Sequence, residues 1–216
     1  MIISRGRRYI YVHVPKTGGT ALSLALEARA MKDDILIGDT PKAKRRRRRL
    51  RGVETRGRLW KHSTLADIDG LVSGDELDGM FVFTLVRNPW DRMVSYYHWL
   101  RVQGFDHPAV ALARRTDFAD FLRHPQTRAA VGAQDYGAYV TDAAGRERCR
   151  AFVRLERLDH DLAAVESHLG FRLDRIPRLN ESRRAEDYRI YYDDSLAELV
   201  AELCARDIAR FGYRFG

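Results

Sequence analysis

The sequence has little cysteine and no long apolar run. Two thiols, Cys149 and Cys204, cannot build a disulfide framework or supply all four ligands of a structural zinc site. The longest apolar run, residues 80–86, is interrupted by a threonine and is far too short to cross a bilayer. The first eight residues include three arginines and show no apolar stretch followed by a signal-peptide cleavage site. We therefore expect a cytoplasmic protein with reduced thiols, no signal peptide and no membrane span.

The positive charge of the chain is concentrated in one segment. The net charge is +8, yet residues 42–58 alone hold ten Lys or Arg and one acid, so the other 199 residues sum to −1. A near-neutral chain with one basic segment argues against nucleic acid as the partner. We interpret residues 32–58 as a basic surface excursion. Its arginine run, residues 45–49, is either a solvated, partly disordered loop or a site for an anion. That anion would be an acceptor such as an acidic glycan, or else nucleic acid or an anionic lipid.

Strand patterns alternate with helix patterns along the chain. Strands are predicted at residues 9–14, 58–61, 80–86 and 152–155. One helix is predicted to begin at Thr20, and another to extend from Pro89, capped by Asn88, to about Val102. Further helices are predicted over residues 65–71, 108–115, 118–124, 161–169 and 194–211. This alternation predicts one α/β domain over residues 1–216, with a P-loop-like central parallel sheet and helices on both faces.

A glycine turn follows the first predicted strand, with the sequence Pro15-Lys16-Thr17-Gly18-Gly19-Thr20. Glycines let the backbone approach a ligand closely, and the start of a helix offers unpaired N–H groups at a positive dipole end. Lysine and the threonine hydroxyls add a charge and donors, so the turn predicts a site for phosphate or phosphosulfate. The common nucleotide-binding loop places lysine after its last glycine, whereas Lys16 precedes both, which disfavours an ordinary ATPase or kinase.

Two segments resemble motifs of the sulfotransferase family. The stretch HVPKTGGTAL resembles the 5′-phosphosulfate loop, and the stretch from Thr84 through Arg87, Arg92 and Ser95 to Tyr97 resembles the 3′-phosphate motif R-x-P-x-x-R-x-x-S-x-Y. The likeness is strongest to the carbohydrate-type branch, which includes the heparan and uronyl 2-O-sulfotransferases. Residues 179–182, 191–192 and 211–213 resemble that branch more loosely.

The resemblance implies a donor and a set of binding residues. The donor would be 3′-phosphoadenosine 5′-phosphosulfate (PAPS), with no metal. Its 5′-phosphosulfate would be held by Lys16, Thr17, Gly18, Gly19 and Thr20. Its 3′-phosphate would be held by Arg87 and Ser95, since a guanidinium and a hydroxyl near the start of one helix can share a phosphate. A salt bridge to Asp91 is the alternative interpretation of Arg87.

His62 is the candidate general base. Sulfuryl transfer needs a group that removes the acceptor proton and a positive charge at the leaving oxygen. His62 follows a predicted strand and precedes a segment that resembles the base region of heparan-type 2-O-sulfotransferases, whereas His13 is interpreted as a packing or supporting residue. We assign His62 as the general base and Lys16 as the positive charge at the leaving oxygen. The alternative interpretation of His62 is a capping or core histidine.

The favoured hypothesis is therefore a PAPS-dependent sulfotransferase that acts by in-line displacement on a hydroxyl or amine of a carbohydrate or other small acceptor. A P-loop-type nucleotide kinase or hydrolase, and a non-catalytic nucleotide-binding protein, are the alternatives. The sequence leaves open the acceptor, the choice between O- and N-sulfation, and the oligomeric state.

Overall fold

The computed structural model describes residues 1–173, 176 and 184–216. The family-like segment 179–182 lies outside the described residues. The chain divides into two compact units, each built from two separate stretches of sequence. The first unit comprises residues 1–86 and 136–179, and the second comprises residues 87–135 and 180–216. One domain over the whole chain stays a prediction.

The strands and helices have the following bounds. The strands are β1 (Ile2–Ser4), β2 (Tyr9–Val12), β3 (Ile35–Leu36), β4 (Phe81–Val86) and β5 (Cys149–Arg154). The α-helices are α1 (Gly19–Ala28), α2 (Pro41–Arg46), α3 (Gly74–Asp78), α4 (Pro89–Arg101), α5 (Pro108–Arg115), α6 (Phe118–Arg123), α7 (Pro125–Gly132), α8 (Tyr136–Tyr139), α9 (Leu158–Asp161), α10 (Ala163–Leu169), α11 (Asp194–Leu203) and α12 (Ala205–Phe211). Short 3₁₀ helices cover Arg47–Leu50, Leu155–Arg157 and Tyr188–Tyr191.

The first unit contains a five-stranded sheet in the order β3-β1-β2-β4-β5. The central strands β2, β4 and β5 are parallel, which confirms the α/β prediction. The sheet is nevertheless mixed, because β1 pairs antiparallel with both β2 and β3. A tight turn, in which Arg8 N–H donates to the Arg5 carbonyl (3.2 Å) and Arg8 adopts φ of 54°, joins β1 to β2. Antiparallel neighbours need only such a short connection.

Side chains alternate across the central strands and are buried on both faces. Tyr11 on β2 and Phe83 on β4 share a core with Leu22 of α1 and Val165 of α10. Ile10 and Val12 lie on the opposite face of β2 and are fully buried. Burial on both faces is typical of central parallel strands, and it explains why these two strands are readily predicted from an apolar sequence.

Four predictions about local structure need correction. Residues 58–61 do not form a strand and residues 65–71 do not form a helix; both lie in a series of turns. The basic segment contains β3 and α2 and buries Leu36 and Ala43, so it is an ordered part of the first unit. The predicted helix 194–211 is divided at Cys204 into α11 and α12.

The second unit is helical. Buried side chains of α4, among them Met93, Val94 and Tyr97, share a core with Leu112 of α5 and Phe121 of α6. No helix among the residues that the structure describes combines the length and apolar character needed to cross a bilayer.

Candidate functional site

The turn after β2 has left-handed backbone at two positions. Lys16 adopts φ of 65° and Gly18 adopts φ of 82° at the N-cap of α1. A non-glycine residue in this region is strained, and such strain is concentrated at ligand-binding sites. Left-handed residues in a turn allow successive backbone N–H groups to face one side, as in anion-binding nests. The backbone geometry therefore fits the predicted anion site.

Gly19 is required by a close approach. A Cβ at this position would lie 2.2 Å from His13 Cδ2 and 2.6 Å from the Tyr11 hydroxyl oxygen. The Tyr11 hydroxyl donates to the Gly19 carbonyl oxygen at 3.3 Å, so strand β2 and the start of α1 are joined directly. Only glycine fits here, for a steric reason that differs from the backbone conformation required at Gly18.

The two threonines of the loop differ in their surroundings. Thr17 is fully buried and its hydroxyl donates to the Val14 carbonyl oxygen at 2.9 Å. This hydroxyl thus closes the loop on its own backbone, and the contact of Thr17 with the anion stays a prediction. Thr20 lies in the first turn of α1, and both it and Lys16 are partly exposed.

The structure brings His62 to this loop through His13. The His62 Nδ1 atom lies 2.8 Å from the His13 carbonyl oxygen, and the two rings meet edge to face with centroids 4.7 Å apart. The His13 ring in turn lies against Gly19. The predicted base and the predicted anion loop are thus neighbours within the first unit.

The hydrogen bond to His13 fixes the tautomer of His62. A carbonyl oxygen only accepts, so Nδ1 carries the hydrogen and the neutral ring has its lone pair on Nε2. Burial lowers the pKa of His62 to about 4, despite the opposing effect of that hydrogen bond. Burial likewise holds the pKa of His13 well below its usual value. Both rings are therefore neutral at pH 7.

Trp60 is a neighbour of His62 that sequence reasoning missed. Its side chain is 47% exposed, and its ring meets the His62 ring edge to face with centroids 5.0 Å apart. The buried Ser63 fixes this turn, because its hydroxyl accepts from Trp60 N–H at 2.9 Å and lies 2.9 Å from the Arg58 carbonyl oxygen. An aromatic residue two positions before a candidate base was the available signal.

Arg87 and Ser95 lie in the second unit at α4. Arg87 precedes the helix and pairs with Asp91 through Nε at 2.8 Å and Nη2 at 2.6 Å, so the salt bridge considered from the sequence is present. The other Asp91 oxygen accepts from Arg184 Nη2 at 2.5 Å. Ser95 is buried one turn further along the helix. The sequence did not indicate Arg184, which is distant in the chain.

The start of α4 is capped as predicted. The Asn88 side-chain oxygen accepts from Trp90 N–H at 3.0 Å, and Pro89 occupies the first helical position. The Asn88 amide nitrogen donates to the Tyr188 hydroxyl at 3.3 Å and to the Arg214 carbonyl oxygen at 3.1 Å. This network fixes the backbone at which Arg87 enters the helix.

Comparison with known proteins gives a family and a fold. The model of the sulfotransferase family matches residues 1–214. A crystal structure of mouse sulfotransferase SULT7A1 complexed with PAP matches 94% of this chain and 84% of that chain, with 17% sequence identity and a TM-score of 0.52. No curated protein sequence matches this chain. Since the family model spans nearly the whole sequence, the chain belongs to the sulfotransferase family.

Proposed function

We propose that this protein transfers a sulfuryl group from PAPS to a hydroxyl or amine of a carbohydrate acceptor. Membership of the sulfotransferase family supports the transfer reaction. The observation that carries the proposal is the strained turn from Lys16 to Gly19, with the His13 ring against Gly19 and His62 bonded to the His13 carbonyl oxygen. The similar mouse sulfotransferase is complexed with PAP, which supports an adenosine 3′-phosphate nucleotide as the donor.

The residues of the loop fit the donor's charge. PAPS carries an activated sulfuryl group whose leaving group is 3′,5′-adenosine bisphosphate. The backbone N–H groups from Thr17 to Thr20 bind the 5′-phosphosulfate, at a turn whose left-handed backbone at Lys16 and Gly18 suits an anion-binding nest. Lys16 places its ammonium group at the bridging oxygen and stabilises the charge that develops there. Arg87 and Ser95 bind the 3′-phosphate.

His62 removes the proton from the acceptor. Its Nδ1–H remains bonded to the His13 carbonyl oxygen, so Nε2 is the atom that accepts the proton. The His13 carbonyl oxygen also stabilises the imidazolium that results, because a hydrogen bond to the charged form favours it. The fixed ring needs no reorientation during the reaction, which lowers the entropic cost of positioning.

Two surface features of the first unit support a glycan acceptor. The exposed Trp60 ring beside His62 offers an apolar face for a sugar ring. The basic segment forms a cavity of about 630 Å³ lined by Lys44, Arg45, Arg47, Arg48 and Arg51. Asp39, two residues before α2, pairs at 2.9 Å with Lys61, the residue before His62, and so links the basic segment to the candidate base. We therefore propose an anionic glycan as acceptor. The free thiols of Cys149 and Cys204 support the cytoplasmic location that we also propose.

The test is transfer of labelled sulfate from PAPS to three glycans: heparosan, chondroitin and neutral dextran. We expect transfer to the two anionic glycans and a loss of about 10²- to 10⁴-fold in kcat for His62→Ala. The matched control is His160→Ala, because the His160 side chain is 74% exposed. His62→Ala with unchanged turnover and unchanged bisphosphate binding would refute the base assignment. Bisphosphate binding without any transfer would indicate a non-catalytic nucleotide-binding protein.

A further inference from the structure

Two buried polar atoms of the second unit lack a hydrogen-bond partner. They are Nε2 of His98 and Nη1 of Arg184, and neither has a partner among the residues that the structure describes. The Arg184 side chain is only 12% exposed. Burying a polar atom without a partner is unfavourable, so such atoms in native proteins need an explanation. A ligand that accepts from both is the simplest one.

His98 lies on a side of α4 that Arg184 contacts. Asp91, Ser95 and His98 are spaced four and three residues apart, so they lie on the same face of the helix. Arg184 reaches this face through its 2.5 Å ion pair with Asp91. Burial, together with the charges of Arg101 and Arg184, lowers the pKa of His98, as expected for a ring close to both guanidinium groups.

The charges on this face favour an anion. Arg87 and Arg184 share the single carboxylate of Asp91, so the three side chains together carry a net charge of +1. The carboxylate fixes both guanidinium groups in position, while Arg184 Nη1 makes no hydrogen bond to the residues that the structure describes. A phosphate has several acceptor oxygens, and a guanidinium group matches their arrangement better than an ammonium group does.

We propose that Arg184 and His98 bind the donor's 3′-phosphate, together with Ser95 and Arg87. This assignment rests on the proposed function and extends it to two residues outside the family-like motif. Arg184 donates through Nη1 to one phosphate oxygen, and the His98 ring donates through Nε2–H to another. Asp91 is a positioning residue, because it acts on the phosphate only through the two arginines.

The test compares two nucleotides that differ only in the 3′-phosphate. Dissociation constants for 3′,5′-adenosine bisphosphate are measured by titration calorimetry, and those for 5′-AMP by competition. For Arg184→Ala we expect bisphosphate binding about 10- to 100-fold weaker, and for His98→Ala about 3- to 10-fold weaker. The affinity for 5′-AMP should change less than 2-fold in both variants, since 5′-AMP lacks the group that these residues bind.

Several variants keep the outcome decisive. Arg115→Ala, which removes an exposed arginine from the last turn of α5, is the matched control and should leave both constants unchanged. If the alanine variants fail to fold, Arg184→Lys and His98→Asn are used instead. Each retains a hydrogen-bond donor and should keep part of the wild-type affinity for the bisphosphate. Equal weakening of both nucleotides, or no change in either, would overturn the assignment. A wild-type protein without preference for the bisphosphate would overturn the proposed function as well.

Discussion

Replacing Gly19 with alanine places a methyl group inside the contact between α1 and β2. The new Cβ would lie 2.2 Å from His13 Cδ2 and 2.6 Å from the Tyr11 hydroxyl oxygen, where ordinary contacts are 3.4–4 Å. Both neighbours are buried, so neither can move without disturbing the sheet. Overpacking of this kind costs about 1–3 kcal/mol. An approach of 2.2 Å belongs at the upper end of that range, and alanine's better helix propensity recovers at most about 1 kcal/mol, which leaves an expected loss of about 2 kcal/mol.

Urea denaturation and bisphosphate titration test this expectation together. Gly19→Ala should lower the midpoint of unfolding and weaken bisphosphate binding, because the displaced His13 ring lies against the proposed phosphosulfate loop. Gly52→Ala is the matched control: Gly52 has φ of 74° and no atom within 4 Å of its added Cβ. It should cost about 1–2 kcal/mol through backbone strain alone and leave nucleotide affinity unchanged. Wild-type stability and affinity in Gly19→Ala would refute the reasoning.

Three further predictions concern stability. Asn88→Ala removes the cap of α4, including the bond from Trp90 N–H, and should lower the free energy of unfolding by about 1–2 kcal/mol in urea titrations. Thr84→Val removes the donor to the Val12 carbonyl oxygen between β4 and β2, and should cost about 1–2 kcal/mol in the same assay. Protonation of His62 should favour unfolding, so stability should fall as the pH is lowered from 6.5 to about 4.

The pH prediction follows from proton binding in the two states. The unfolded chain binds a proton at His62 below pH 6.5, whereas the folded chain resists it until about pH 4. At 1.36 kcal/mol per pH unit, the free energy of unfolding should fall by about 3 kcal/mol between pH 6.5 and pH 4. His62→Gln should therefore show a shallower pH dependence than wild type, although the buried His13 continues to contribute. Parallel profiles for the two proteins would contradict the burial argument.

The stability variants also have controls. Ser73→Ala removes the cap of the five-residue helix α3 and should cost less than Asn88→Ala, because Ser73 caps only Glu76 N–H. In Thr84→Val the Val12 carbonyl oxygen loses a side-chain donor. Because Val12 is fully buried, water cannot replace that donor. Thr84→Ser, which keeps the hydroxyl, should recover most of that loss. Equal effects in Asn88→Ala and Ser73→Ala would contradict the role assigned to Asn88.

The sequence was sufficient to predict the elements whose signals are local. The strand β4 is an apolar run interrupted by one threonine, and Asn88-Pro89 marks the start of α4 by residue types with strong positional preferences. The glycine turn after β2 was recognisable because both its residue types and its place after a strand are specific. These signals need no knowledge of distant contacts.

Long-range contacts explain what the sequence could not predict. The strands β1 and β3 are three and two residues long and are defined by their pairing with each other and with β2. Residues 65–71 have helix-like apolar spacing, but this segment is bound to the rest of the first unit by distant groups, such as the Tyr139 carbonyl oxygen that accepts from Leu65 N–H at 3.0 Å. Arg184 approaches Asp91 from 93 positions away, which no local pattern reveals.

A thermal shift measurement with 3′,5′-adenosine bisphosphate, run beside ATP with magnesium, tests the central claim most directly. A ligand present at a hundred times its dissociation constant adds about 2.7 kcal/mol of stability, which moves the midpoint of a protein of this size by several degrees. We predict a shift with the bisphosphate alone, lost in Arg87→Ala. A shift with ATP and magnesium alone, or with neither nucleotide, would contradict the assignment of a PAPS-dependent sulfotransferase.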